Sequence, residues 1–317
     1  MQEFAPTNET DMENPNKDWR NHFSPKILKA AEKAAKLGRP IDLTDDIVFK
    51  MFFAGDTPES KKCLCSFLSA VIGTQVTQVE VVNSEILPDM IKDKSSRLDI
   101  HCVLENGDKA DIELQCSNQN DSQRNRALFY GSKLVSDSLT QGEPYNKMKK
   151  SYQIMVTNYK EFDDDDFFTK FGMYSVEKKI TLSDRETIYF IELPKLRKFL
   201  KCDFENITPL QFWAILIKYS KNHKILEKLR ETSKYKEDSA MADMVMSRIT
   251  DDMRAWAIRL SREGGEIDRI TQLAAAEEKG SHTAKIEIAR SMIEDNFPYS
   301  TIIKHTGLSL AEIQELQ

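Results

Sequence analysis

An α/β domain is the fold class that this sequence predicts, because strand-like and helical patterns follow one another along the chain. The strand-like runs are rich in β-branched and apolar residues, whereas the helical runs repeat apolar residues at helical spacing. A turn segment, Glu105-Asn106-Gly107-Asp108, separates two of the strand-like runs and predicts a hairpin. The predicted strands cover residues 77–86, 97–104, 109–116, 152–157 and 187–193.

The predicted helices surround these strands and then continue without further strands. A helix through Phe49 and Phe52 is expected after N-cap candidates at 43–46, and Gly264-Gly265 is expected to interrupt the charged stretch 234–280. The other predicted helices cover residues 27–37, 58–72, 118–139, 209–229, 283–296, 299–305 and 310–316.

Three regions follow from this order. Residues 1–25 are polar and contain prolines, so we expect a disordered tail. Residues 26–235 form the expected α/β domain, and residues 236–317 form a helical C-terminal region. The last two helices have the size and the Gly-containing turn of a helix-turn-helix, although a packing or oligomerisation module is an equally good interpretation.

Composition narrows the class of protein. The net charge of -6 predicts no general attraction to nucleic acid, although a local basic face can coexist with an acidic remainder. No apolar stretch is long enough for a membrane span, and the first residues lack the pattern of a signal peptide, so we expect a cytoplasmic protein. The absence of a G-x-x-x-x-G-K motif predicts no nucleotide cofactor.

The second strand of the hairpin carries the most informative pattern. Alternate side chains of a strand share a face, so Asp111, Glu113 and Gln115 point one way, while Ile112 and Leu114 point towards the core. The pattern predicts a polar face on this strand. Short patterns of this kind also arise by chance, and an exposed face with ordinary acids is the alternative.

The hairpin loop decides whether Asp99 joins that face. A two-residue loop, Asn106-Gly107, would place Ile100 opposite Glu113 and turn Asp99 to the other face. That register is incompatible with a site shared between the two strands.

A three-residue loop over 105–107 has the opposite consequence. It pairs Leu104 with Asp108, puts the glycine in the left-handed bulge position, and sets Asp99 directly across from Glu113. Facing side chains in that register are close enough for two carboxylates to share one ion. Hard carboxylate oxygens favour Mg²⁺ or Mn²⁺. His101 is either an exposed strand residue or a neighbour that tunes Asp99.

The whole block of motifs, taken in order, resembles the recombination-promoting nuclease (Rpn) and PD-(D/E)XK nuclease family transposase pattern. The motifs are Asp46-Ile47-Val48-Phe49-Lys50, Arg97-Leu98-Asp99-Ile100, Asp111-Ile112-Glu113-Leu114-Gln115, Arg126-Ala127-Leu128-Phe129-Tyr130, Gly142-Glu143-Pro144-Tyr145 and Ile191-Glu192-Leu193 with Lys195. The resemblance covers about residues 40–200 and implies a restriction-endonuclease-like PD-(D/E)XK core, a mixed sheet flanked by helices, with a helical C-terminal extension.

The resemblance also implies a function and a set of site residues. Asp99, Glu113 and Gln115 would be catalytic, with Asp99 and Glu113 as the metal-binding acids and Gln115 where related enzymes often carry lysine. Asp46 is a further candidate ligand, and helix N-capping is its alternative role. The implied activity is Mg²⁺- or Mn²⁺-dependent DNA endonuclease, linked to recombination or mobile elements. An inactive DNA-binding or protein-interaction module on the same fold is the alternative.

DNA is the partner that this function requires, and a homodimer is an expectation by analogy with nucleases that use two sites to cut a duplex. Arg126 and Tyr130 lie one helical turn apart and are candidate phosphate contacts. The basic group Lys147, Lys149 and Lys150 supplies further candidates.

Overall fold

The centre of the fold is a mixed sheet of six strands. A computed structural model describes residues 19–82, 99–116, 123–295 and 297–316. The strands are β1 (Val79–Val81), β2 (Ile100–Leu104), β3 (Lys109–Gln115), β4 (Ser151–Thr157), β5 (Phe168–Tyr174) and β6 (Thr181–Glu192). Their order across the sheet is β1-β2-β3-β4-β6-β5. Neighbours β3, β4 and β6 run parallel, and the other pairs are antiparallel. The expected mixed sheet is confirmed.

Ten α-helices are present in the described part of the chain. They are α1 (Pro25–Lys36), α2 (Asp46–Ala54), α3 (Pro58–Ile72), α4 (Gln123–Ser136), α5 (Pro209–Tyr219), α6 (His223–Glu231), α7 (Lys236–Asp251), α8 (Met253–Glu294), α9 (Tyr299–Thr306) and α10 (Leu310–Gln314). Local sequence explains their ends. Thr57 caps α3 through a hydrogen bond from the Ser60 amide, and Gly73 ends it in the left-handed conformation at φ 81°.

Each face of the sheet is covered by a different set of helices. The apolar residues of β2, β3 and β4, such as Ile100, Ile112 and Ile154, belong to the main core, into which α2, α3 and α5 pack. Phe53 and Trp213 meet there with ring centroids 5.9 Å apart. On the opposite face, α4 packs across β3, β4 and β6. That face carries the polar residues of β3, so the sheet separates the core from the candidate site.

The chain divides into two compact units, one up to Leu260 and one from Ser261 onwards. The expected boundary near residue 235 falls inside the first unit, where α7 adds Ala242 and Val245 to the main core. The second unit has its own apolar cluster, in which Ala289 and Ile302 are fully buried. Helices α9 and α10 of this unit are the expected helix-turn-helix candidates, and that role stays a prediction.

Several elements differ from the sequence prediction. Helix α8 continues through Gly264-Gly265, so the predicted interruption was wrong, because glycine costs an α-helix only about 1 kcal/mol relative to alanine. The predicted helix 209–229 is two helices, and strand β5 was not predicted. Most of the expected tail, residues 1–18, lies outside the described residues, whereas Trp19–His22 forms a short 3-10 helix.

No described helix combines the length and the apolar character needed to cross a membrane.

Candidate active site

The β2–β3 hairpin has the three-residue loop. Ile100 pairs with Ile112, and the Leu104 amide donates a hydrogen bond of 2.8 Å to the Asp108 carbonyl. Gly107 adopts the left-handed conformation at φ 82°, as a bulge at the third loop position requires. If this pairing is extended by one residue beyond Ile100, Asp99 lies across from Glu113. The other loop, which would have turned Asp99 to the opposite face, is excluded.

Three acids therefore share one face of the hairpin and are almost completely buried. Asp99 is 5% exposed, Asp111 1% and Glu113 3%. Ile112, which lies between Asp111 and Glu113 in the strand, points to the opposite face of the sheet and is fully buried in the core. Buried carboxylates require hydrogen bonds, neighbouring cations or a metal ion, because desolvation disfavours their charged form. The partners of each acid are consequently informative about the site.

His101 lies between two of the acids. Its Nδ1 is 2.8 Å from Asp111 Oδ1, and its Nε2 is 3.6 Å from Asp99 Oδ2. The contact with Asp111 raises the pKa of His101, and the Asp99 carboxylate acts in the same direction, while burial opposes both. The side chain is 42% exposed. His101 is therefore a partly exposed neighbour of Asp99, and its tuning of Asp99 stays a prediction.

This group has donors suited to a divalent cation. One ligand atom from each of Asp99, His101 and Asp111 can be chosen so that all lie within 4.8 Å of one another. Carboxylate oxygens suit Mg²⁺ and Mn²⁺, and the imidazole nitrogen is a donor more typical of transition-metal ions. The residues present therefore fit the metal that the sequence pattern implies. Gln153 of the neighbouring strand donates a 2.8 Å hydrogen bond to Asp111 Oδ2 and holds that carboxylate in place.

Glu113 has a separate set of partners. The Gln115 amide donates a 2.6 Å hydrogen bond to Glu113 Oε1, and Arg126 Nη2 forms an ion pair with the same oxygen. Arg126 projects from the first turn of α4, which packs over this face of the sheet. The structure places Arg126, a predicted phosphate contact, against a site carboxylate. Tyr130, one turn later, is half-buried, with its ring 5.1 Å from that of Phe129.

Helix α2 approaches the site from the end of β3. Cys116, which directly follows β3, donates a 2.8 Å hydrogen bond through Sγ to the Thr44 carbonyl, just ahead of α2. The N-cap of α2 is Asp45, which accepts from the amides of Ile47 and Val48. Asp45 was among the N-cap candidates at 43–46, whereas N-capping as the alternative role of Asp46 was wrong. Asp46 is the first helical residue, and its role as a further metal ligand stays a prediction.

The next turn of α2 carries a buried cation. Lys50 is 0% exposed, and its Nζ makes no hydrogen bond to any of the described residues. Burial lowers the pKa of Lys50, and the negative charge of Asp99 acts against this shift. Sequence reasoning missed both Lys50 and Gln153. The sequence of α2 contained no signal for the lysine, because its burial follows from the packing of α2 against the sheet. Gln153 had none, because only the parallel pairing of β3 with β4 brings it to Asp111.

The predicted basic group lies at the other end of the hairpin. Lys149 Nζ donates a 2.7 Å hydrogen bond to the Asn106 carbonyl in the loop, and Lys150 Nζ is 2.7 Å from Asp184 Oδ2. Lys147 belongs to a short, exposed 3-10 helix. The structure does not bring these lysines to Asp99 and Glu113, and their contact with DNA stays a prediction.

Comparison with known proteins gives one family match. A family model described as PD-(D/E)XK nuclease family transposase matches residues 43–276. No match was found among curated proteins or among solved structures. The matched stretch covers well over half of the chain and includes the hairpin, α2 and α4. The chain therefore belongs to the PD-(D/E)XK nuclease family transposases.

Proposed function

We propose that this protein is a divalent-metal-dependent DNA endonuclease that hydrolyses phosphodiester bonds. One observation carries the proposal: Asp99, His101 and Asp111 each offer a ligand atom within 4.8 Å of the others. The hairpin register, extended by one residue beyond Ile100, also sets Asp99 across from Glu113. A two-residue loop would have separated these acids. The nuclease family to which the chain belongs supports the reaction class.

The acids are the residues that would hold the ion. Asp99 and Glu113 are the proposed ligands, and Asp111 and His101 stand beside them as further donors. A divalent ion supplies Lewis-acid polarisation of the scissile phosphate and lowers the pKa of the attacking water. Gln115 keeps Glu113 oriented through its 2.6 Å hydrogen bond. Its amide is uncharged, so it can orient water or a phosphate oxygen but adds no positive charge.

The biological setting is part of the same proposal. The family description links these nucleases to transposases, so we propose a role in recombination or in the movement of a mobile element. Hydrolysis of both strands of a duplex needs two attacks on opposite strands, and a homodimer would supply one site for each. A cytoplasmic location fits access to DNA.

Plasmid cleavage tests the activity. Supercoiled plasmid is incubated with the purified protein in Mg²⁺, in Mn²⁺ and in EDTA, and the nicked and linear products are quantified. We expect products with either metal and none in EDTA. Cleavage that persists in EDTA would overturn the metal-dependent mechanism. Absence of cleavage by a folded protein that still binds DNA would instead support the inactive binding module.

A further inference from the structure

The most unusual buried group near the site is the ammonium of Lys50. Its neighbours on α2, Phe49 and Phe53, are core residues, and Lys50 is as completely buried as they are. Lysine side chains normally extend their charged ends into water. The Lys50 Nζ instead makes no hydrogen bond to a described residue. A buried ammonium without hydrogen bonds costs several kcal/mol, so it calls for a partner that arrives with function.

The ammonium of Lys50 lies near enough to the site for its charge to act on the site residues. Lys50 interacts with the charge of Asp99, and its own charge acts on His101. Helix α2 packs against β2 and β3 from the core face, and the residue Thr44 just ahead of it contacts Cys116 at the end of β3, beside the acids. His101, with 42% of its side chain exposed, forms the solvent-facing edge of this group. An anion that reaches Asp99 past His101 would therefore come close to Lys50.

Two described residues of the site that could stabilise a phosphate do not offer a free positive charge. Gln115 is neutral, and Arg126 is paired with Glu113. The phosphate group gains negative charge as a phosphodiester is hydrolysed, and a positioned cation stabilises that charge. We propose that Lys50 Nζ donates a hydrogen bond to an oxygen of the DNA phosphate held beside Asp99, and so supplies the positive charge that Gln115 cannot. Lys50 stays protonated and transfers no proton. This inference rests on the proposed nuclease function.

Charge relocation provides the test. Three variants are compared with the wild type: Lys50→Met, which keeps the length without the charge, Lys50→Met with Gln115→Lys, and the control Lys61→Met on the exposed face of α3. Cleavage is measured in Mg²⁺. Affinity for a short, fluorescently labelled DNA duplex is measured by anisotropy in EDTA, and Tm is measured without metal.

We expect Lys50→Met to reduce cleavage by about 100-fold or more and duplex affinity by about tenfold. Its Tm should equal or exceed that of the wild type, because an unpartnered buried charge is replaced by an apolar group. Adding Gln115→Lys should restore at least about tenfold of the lost cleavage. The Lys61→Met control should match the wild type in all three measurements.

Two results would overturn the role of Lys50. The first is wild-type cleavage by Lys50→Met. The second is lost cleavage with a lower Tm and unchanged duplex affinity, which would make Lys50 a structural residue only. The affinity comparison is independent of hydrolysis. If the wild type cleaves nothing, the proposed function fails, and equal duplex affinities of wild type and Lys50→Met would then also refute the phosphate contact.

Discussion

The conformation of Gly107 yields a quantitative prediction about the hairpin that builds the site. Gly107 has φ 82°, and a Cβ added there would lie 3.0 Å from Lys149 Cε. An L-residue in the left-handed region costs about 1–2 kcal/mol. The lysine contact is the flexible end of a side chain and adds little. Alanine also reduces the conformational entropy of the unfolded chain, and this stabilises the folded protein by about 0.4–1 kcal/mol. The net loss for Gly107→Ala is about 1 kcal/mol.

Urea unfolding of matched variants measures this loss. Gly38 provides the control, since it has φ 55° and nothing within 4 Å of an added Cβ. Gly38→Ala should lose about as much stability through backbone strain alone. Gly107→Asn should lose less than Gly107→Ala, because asparagine tolerates the left-handed region. For a unit of this size, each 1 kcal/mol of lost stability lowers Tm by about 2–4 °C.

The folded Gly107→Ala protein should keep its site. A one-residue slip of β2 would turn Ile100 and Cys102 out of the core and bury polar residues in their place. Core packing therefore maintains the register once the protein folds, and metal binding per folded molecule should change little. Equal stability of Gly107→Ala and the wild type would refute the turn assignment. Loss of metal binding with an intact fold would show that the turn, rather than the core face, fixes the register.

Three further predictions concern charged groups. Arg126→Met should tighten Mn²⁺ binding, measured by calorimetry, by about fivefold or more, because Glu113 loses the cation that is paired with it. An unchanged Mn²⁺ affinity would show that the Arg126–Glu113 ion pair does not compete with the metal. Burial raises the pKa of Glu186, so its stabilising contribution is present at low pH and is lost as pH rises through the raised pKa. Glu186→Gln should therefore raise Tm at neutral pH more than at about pH 4, and an equal shift at both would contradict this reasoning. Lys195→Met should lower the free energy of unfolding, measured in urea, by about 3–5 kcal/mol, since the buried carboxylate of Glu192 loses its cation. The control Lys36→Met, which breaks an exposed ion pair, should leave the urea midpoint unchanged. Equal effects of the two lysine changes would refute the burial argument.

The hairpin itself and the polar face of β3 were predictable, because both depend on residues that are close in sequence. The alternation of Asp111, Ile112 and Glu113 defined the polar face, and the position of Gly107 made the three-residue loop one of two stated possibilities. The sequence did not decide between the loops, since each satisfies local turn chemistry. The structure decides, because only one register puts Ile100 in the core.

Long-range pairing accounts for what the sequence did not reveal. Strand β5 has mostly exposed and partly exposed residues, so it lacks the apolar run by which buried strands are predicted. Gln153 reaches Asp111 only because β4 lies beside β3 in parallel. Lys50 reads as an ordinary helix residue until α2 is packed against the sheet. Lys195, a basic residue of a charged segment, forms a buried ion pair with Glu192 at the end of β6.

The most direct test of the central claim is single-turnover DNA cleavage by isosteric variants of the two facing acids. Asp99→Asn and Glu113→Gln are compared with the wild type and with Asp56→Asn, whose side chain is 86% exposed and lies outside the site. The shared metal site predicts that both site variants lose about 100-fold or more in rate per folded molecule, whereas Asp56→Asn retains the wild-type rate. Wild-type cleavage by both site variants would contradict it and place the activity elsewhere.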